Sequence, residues 1–169
     1  IKRGEVLVDG RARKHHAFPT GLMDIISIPK IGKTYRVVLS KKGLGLVEVK
    51  DGGKKLCKIV GKRVIKGGKI QLNLHDGRNI LIERKEYNTG DSLLIQIPSQ
   101  KIIGHFKLEK GNLALIIGGK NRGGIGVIQK VIRRKWMTER NKVVCKVEGK
   151  RVETLKKYIF VIGKEKPVI

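Results

Sequence analysis

The stretch GNLALIIGGKNRGGIGVI, residues Gly111–Ile128, is an apolar run, a glycine-rich turn and a second apolar run that starts at Ile125. Leu113–Ile117 reads as a strand entering the loop Gly118-Gly119-Lys120-Asn121-Arg122-Gly123-Gly124. Glycines let such a loop bring its backbone close to a phosphate chain, and Lys120 and Arg122 place charge at the tip on either side of Asn121. A nucleotide-binding P-loop would need Gly-Lys-Ser/Thr opening a helix, whereas Gly119-Lys120 is followed by Asn121 and more strand. A purely structural hairpin is the other reading of the same residues.

Working outward, helical periodicity is nearly absent. Short alternating or β-branched runs recur: Glu5–Val8, Tyr35–Leu39, Gly45–Val49, Cys57–Val60, Ile70–Leu74, Asn79–Ile82, Leu93–Ile97, Lys101–Leu108, Ile125–Ile132, Lys142–Val147 and Tyr158–Ile162. Between them lie Asp9-Gly10, Asp51-Gly52-Gly53, Lys66-Gly67-Gly68, His75-Asp76-Gly77 and Asn88-Thr89-Gly90-Asp91, residues that supply the positive φ angles of tight turns. The expected fold is mainly β, built of small barrels or sandwiches with little helix. The stretch Ile28-Pro29-Lys30-Ile31-Gly32-Lys33 breaks strand patterning and reads as a linker, with a second break near Glu109–Asn112. These divide the chain into 1–34, 35–108 and 109–169.

The composition sets the class of partner. Of 169 residues 39 are Lys or Arg and 14 are Asp or Glu, a net charge of +25, and the pI is near 10.4. Self-repulsion on that scale opposes compaction and calls for a polyanionic partner. Hydrophobic residues make up 40%, too many for a disordered tail, and aromatics only 4%, so the core must be aliphatic. The charge is spread along the chain. Residues 1–34 carry 7 cationic and 3 acidic side chains, 35–107 carry 16 and 6, and 108–169 carry 16 and 5. A removable basic tail is excluded, and no amphipathic helix gathers the charge for a membrane surface. No apolar run approaches a membrane span and no secretory signal pattern is visible. The first residue is Ile1 rather than Met, as expected if the natural N-terminus lies upstream. Cys57 and Cys145 lie far apart with no CxxC or CxxH nearby, and His15, His16, His75 and His105 form no ligand set. Buried free thiols and no metal are expected.

The glycine loop and its flanking strands resemble the KOW motif of small SH3-like barrels in ribosomal and transcription factors, with Gly126-Val127 in the motif's glycine–apolar position. Gly4–Lys14 followed by Phe18–Asp24 resembles the closing part of the fourth-protein-type RNA-binding domain, without its opening helices. Together with Gly67–Asn79, Gly90-Asp91-Ser92, Gly111-Asn112-Leu113 and Phe160–Lys164, the whole chain is similar to the S-four-e family of small-subunit ribosomal proteins of archaea and eukaryotes. It departs from the family pattern at Lys110, where a Thr is usual, and at Gly124, where a further basic residue is common. The resemblance implies a non-enzymatic, ribosome-associated cytoplasmic protein. It implies rRNA and neighbouring small-subunit proteins as partners, and no cofactor, membrane or small-molecule substrate.

The candidate RNA contacts follow from charge placed on turns. Arg11, Arg13, Lys14, His15 and His16 form a basic run after the Asp9-Gly10 turn. Lys62-Arg63, Lys66 and Lys69 bracket Gly67-Gly68, and Lys41-Lys42 and Lys54-Lys55 are expected in turns as well. Arg78 follows a His75-Asp76 pair in which Asp76 reads as a turn former, since no nucleophile or second carboxylate stands at a defined spacing. Lys120, Asn121 and Arg122 sit at the loop tip. Arg133-Arg134-Lys135-Trp136 joins three cations to the chain's single tryptophan, suited either to phosphate neutralisation with base stacking or to packing of Trp136 on the barrel. Two other classes fit less well. A KOW-containing transcription elongation or antitermination factor would accompany RNA polymerase. An RNA-modifying enzyme such as a pseudouridine synthase would need an Arg-Leu-Asp-type aspartate, which the sequence lacks.

Overall fold

The computed structural model describes residues 1–83, 86–133, 136 and 139–168. Among them the regular structure is three antiparallel five-stranded sheets and three short 3-10 turns, with no helix long and apolar enough to cross a membrane. The first sheet holds β1 (Leu7–Val8), β2 (Arg11–Ala12), β3 (Ile25–Ile28), β4 (Lys33–Ser40) and β5 (Gly43–Glu48), in the order β2-β1-β3-β4-β5. Asp9 and Gly10 join β1 to β2 with φ of 50° and 75°, so both central residues take the positive φ that a two-residue I′ hairpin requires. The Ile28–Lys33 stretch is not a linker between modules. It is a tight connection inside this sheet: Pro29–Ile31 form a 3-10 turn closed by Gly32 at φ 65°, and Ile28 pairs directly with Lys33. Proline at the head of that turn is what breaks the strand pattern.

The second sheet holds β6 (Lys54–Val64), β7 (Ile70–Leu74), β8 (Asn79–Ile82), β9 (Ser92–Gln96) and β10 (Ile102–Phe106), ordered β10-β9-β6-β7-β8. Strand β6 pairs with β9 along Lys54–Lys58 and with β7 along Ile59–Val64, and a bulge between Ile59 and Gly61 marks the changeover. Such a bulge bends the strand and increases local twist. The sheet therefore curls around Cys57, Ile59, Ile70, Leu72, Leu74, Leu93 and Ile95, all buried.

The third sheet holds β11 (Leu113–Ile116), β12 (Ile125–Ile132), β13 (Lys142–Val147), β14 (Lys150–Leu155) and β15 (Ile159–Gly163), ordered β14-β13-β12-β11-β15. Bulges in the β11–β15 and β12–β13 pairings curl it into an SH3-like half-barrel around Ala114, Ile116, Ile128, Val143, Cys145 and Val161. Strands β2, β3 and β14 are absent from the sequence expectation. Strand β14 is an edge strand whose first two residues, Lys150 and Arg151, are exposed. Charge on an edge discourages pairing with other chains and hides the strand from a hydrophobic reading.

A small cluster joins the three sheets. Met23, Leu56, Leu115, Phe160 and Ile162 are buried together, with Leu39, Leu94 and Phe106 packed against them. These residues come from the loop before β3 and from β4, β6, β9, β10, β11 and β15. Phe160 is the bulkiest of the five and meets His75 edge-on, with ring centroids 5.2 Å apart. Phe160→Ala is expected to cost about 3–5 kcal/mol, the usual loss for truncating a buried aromatic. Urea unfolding of the full chain checks this, and a loss below about 1 kcal/mol would show that the sheets are not joined here.

Candidate nucleic-acid interface

The glycine loop is held from both sides. Between β11 and β12, Gly123 N–H donates to the Ile116 carbonyl at 2.8 Å and Ile116 N–H to the Gly124 carbonyl at 2.9 Å, which closes the hairpin. The tip is a turn in which Arg122 N–H donates to the Gly119 carbonyl at 3.2 Å. Gly118 lies flat on the Tyr158 ring, where a Cβ would come within 2.5 Å of it. Gly123 has φ 82°, and a Cβ there would fall 2.3 Å from the carbonyl carbon of Ser40. The loop thus rests against the tip of the β4–β5 hairpin, whose Lys41 pairs with Glu148 in the β13–β14 turn. Gly126 meets the Lys146 carbonyl, which would stand 2.4 Å from a Cβ, so the glycine–apolar step on β12 reflects close strand packing. Lys120, Asn121 and Arg122 project exposed from this seat. Among the described residues neither Lys120 nor Arg122 has a carboxylate partner.

The other expected contacts divide into two groups. Lys66 and Lys69 flank Gly67 and Gly68, at φ 82° and 72°, and are exposed at the β6–β7 turn, while Arg63 is exposed near the end of β6. Arg133 is exposed, and Trp136 is 71% exposed instead of packing on the barrel. Arg134 and Lys135 lie outside the described residues. In the N-terminal run Arg11, Lys14, His15 and His16 are exposed, with the two histidine rings stacked at 5.1 Å. Arg13 is turned inward, its guanidinium 4.0 Å above the Phe18 ring.

Arg78 belongs to an arrangement that sequence reasoning missed. Lys55 is not in a turn: it lies within β6, its side chain 0% exposed. Its ammonium donates to Asp9 Oδ2 at 2.7 Å, Asp24 Oδ1 at 2.6 Å and Asp76 Oδ2 at 2.8 Å. Arg78 adds a second cation, 2.6 Å from Asp9 and 3.5 Å from Asp76. Asp76 does form its turn, accepting from Arg78 N–H at 3.2 Å through Oδ1, while its other oxygen serves Lys55. Burial alone would lower the pKa of Lys55, but hydrogen bonds from its ammonium to Asp24, Asp76 and Asp9 outweigh it and hold the group above its ordinary value. Burial pushes Asp76 upward, and Lys55, the Arg78 N–H and His75 together more than cancel that, so Asp76 ends below the usual carboxylate range. The signal in the sequence is parity, because Lys55 shares one face of the strand with Cys57 and Ile59.

Above this network opens a recess of about 510 Å³, lined by Asp9, Arg11, Arg13, Phe18, Arg78 and Gln100 among others. Cys57, His75 and Asp76 bring donor atoms within 4.8 Å of one another beneath it. Each donor is already committed. His75 Nδ1 accepts from Lys58 N–H at 3.2 Å, which leaves Nε2–H to donate to the Leu22 carbonyl at 3.0 Å. Burial lowers the His75 pKa and keeps the ring neutral. Burial and the Asp76 charge push the Cys57 thiol up, and the thiol donates to Asp76 Oδ2 at 3.6 Å. The cluster is a hydrogen-bonded core rather than a metal-binding or acid/base centre.

Lys55→Met leaves Asp9 and Asp76 with Arg78 alone and removes the cation paired with Asp24, so a loss of about 3–5 kcal/mol is expected near neutral pH. In the wild type, Asp76 contributes stability above its ordinary value of 3.8 that is lost as pH falls through its lowered folded value. His75, held below 6.5, adds a loss of the same sign that begins higher in pH. Without Lys55 the carboxylates gain from protonation, so the gap between variant and wild type should narrow from about pH 5 to pH 3. Urea unfolding across that range reads the gap, and a constant gap would contradict the assignment.

Known proteins resemble the chain as follows. Residues 31–102 match the pattern of Ribosomal family S4e and residues 110–146 match the KOW motif. The small ribosomal subunit protein eS4 of Methanosphaera stadtmanae is 49% identical over 172 residues, covering 100% of this chain and 70% of that protein. Its counterpart from Methanococcus aeolicus is 45% identical over 179 residues, covering 100% and 72%. The crystal structure of the 30S ribosomal protein S4e from Thermoplasma acidophilum superposes with a TM-score of 0.83 at 30% identity, covering 97% of this chain and 83% of that one.

Proposed function

The chain belongs to ribosomal family S4e, whose members are structural proteins of the small ribosomal subunit and not enzymes, and on that premise we propose that it binds rRNA through basic hairpin tips and the KOW glycine loop. The observation that carries this reading is the exposed Lys120–Asn121–Arg122 tip, whose flanking backbone is seated against Tyr158 and Ser40. A fixed tip presents its charges with little ordering cost on binding. The exposed cations at Lys66 and Lys69 repeat the arrangement on a second turn, and Arg11 and Lys14 repeat it beside a third. Trp136, exposed and three residues after Arg133, offers a ring for an unstacked base.

The mechanism is electrostatic. Each Lys or Arg that meets a phosphate releases condensed counterions, so affinity falls steeply with salt while depending little on sequence. Duplex RNA presents a deep, narrow major groove that side chains cannot read, so shape and phosphate spacing select the site. In the cell the chain then works on the ribosome in the cytoplasm, among neighbouring small-subunit proteins.

The purified chain should bind small-subunit rRNA fragments with a steep log–log salt dependence. Lys120→Ala and Arg122→Ala should each lower affinity for all bound fragments alike and reduce the salt slope by about 1. Equilibrium titrations at several salt concentrations check this. A salt-insensitive affinity would overturn the electrostatic reading, and unchanged slopes in both variants would remove the loop tip from the interface.

A further inference from the structure

Away from the tips, the described residues hold a second concentration of positive charge, and part of it is buried. Lys58 lies on β6 like Lys55, but with the opposite environment. It is 5% exposed, and its ammonium donates to a main-chain carbonyl, that of Lys157, at 2.7 Å. Lys55 faces three carboxylates, whereas among the described residues Lys58 has none. Burial, followed by the charge of Lys156, draws its pKa down to about 8. A buried ammonium is ordinarily matched by an anion, and here the described residues do not supply it.

Lys156 is the neighbouring cation. Its stem lies over Gly90, which has φ 97° and where a Cβ would come within 2.6 Å of Lys156 Cε. Burial lowers its pKa as well, with Asp91 pulling the other way. Two recesses of about 350 and 560 Å³ share Thr89, Asn141 and Lys156 as common walls. The first reaches Lys58, Lys157 and Arg140, and the second reaches Lys107 and Arg133. Three acids border the pair. The Asp91 carboxylate is taken up by His105 Nε2 at 2.9 Å and by the N–H groups of Asn88 and Leu108. Glu109 and Glu139 are exposed side chains of the lining.

We propose that this cleft, between the Asn88–Asp91 turn of the second sheet and the β14–β15 connection of the third, binds one phosphate of an RNA backbone. Lys58 and Lys156 are the inner cations, and Arg140 and Arg133 stand exposed at the mouth. The inference rests on the RNA-binding reading above and adds a contact remote from the hairpin tips. A phosphate here would compensate Lys58 and bridge two sheets at once, so RNA binding would also stiffen their junction.

The test uses the full chain with isotope-labelled lysine side chains. The Lys58 Nζ signal is followed by NMR through a pH titration alone, with inorganic phosphate, and with a small-subunit rRNA fragment. RNA is expected to raise the Lys58 pKa from about 8 to its ordinary value or above, and phosphate to raise it less. Lys156→Gln should raise it in the free protein, weaken RNA binding about tenfold and lower the salt slope by about 1. Lys156→Arg should keep RNA affinity within about twofold, separating charge from folding. If phosphate moves Lys58 and bound RNA does not, the cleft is a free-anion site and the RNA contact is overturned. If RNA binds with Lys58 unmoved and Lys156→Gln binds as wild type, the cleft is overturned while RNA binding through the tips stands. If the wild type binds no RNA, the broader reading fails first, and the phosphate arm still reports on the cleft.

Discussion

One ammonium without solvent contact organises the meeting of the first two sheets. Lys55 gathers Asp9 from the β1–β2 turn, Asp24 from the residue before β3 and Asp76 from the β7–β8 turn, three segments far apart in sequence. Desolvating so many charges costs more than burying apolar groups of the same size, and only a complete set of partners offsets it. The network is therefore selective: any shift of one sheet against the other leaves a buried charge unmatched. The cluster around Phe160 supplies the non-directional part of the same junction and extends it to the third sheet.

That junction decides where the chain presents its positive charge. Four acids near the sheet contacts are turned inward, three on Lys55 and Asp91 on His105 and backbone N–H groups. Many of the cations point outward from turns whose backbone is fixed by glycine geometry and by neighbouring chain. Charge on rigid tips fits a polyanion of defined shape, whereas the same charge on a flexible tail would bind any polyanion and pay more ordering entropy. Lys58 is the informative exception, a buried cation with no anion among the described residues.

Much of this was legible in the sequence, for identifiable reasons. Asp9-Gly10 and Gly67-Gly68 declare their turns because positive φ is written into residue type. The glycine loop declares a strand–loop–strand for the same reason, and the even spread of charge along the chain shows that the charge belongs to the folded body and not to a tail. The failures have causes as definite. Pro29 disguised a connection within a sheet as a linker, and edge-strand charges disguised β14 as loop. Lys54-Lys55 reads as a turn pair because a sequence shows that a lysine is charged but not that three distant aspartates converge on it. The parity of Lys55 with Cys57 and Ile59 was the available clue, and Leu56 and Lys58 on the opposite face, also buried, obscured it. Lys58 and Lys156 escaped notice because their closeness depends on how two sheets dock.

We propose that buried charge builds the frame and exposed turn charge meets rRNA. Amine-reactivity footprinting tests it most directly, comparing the free chain with the chain in assembled small subunits. Lys55 should be unreactive in both states, while Lys66, Lys69 and Lys120 should react freely in the isolated chain and become protected on the subunit. Equal reactivity of those three lysines in the two states, or a reactive Lys55 in the folded chain, would contradict it.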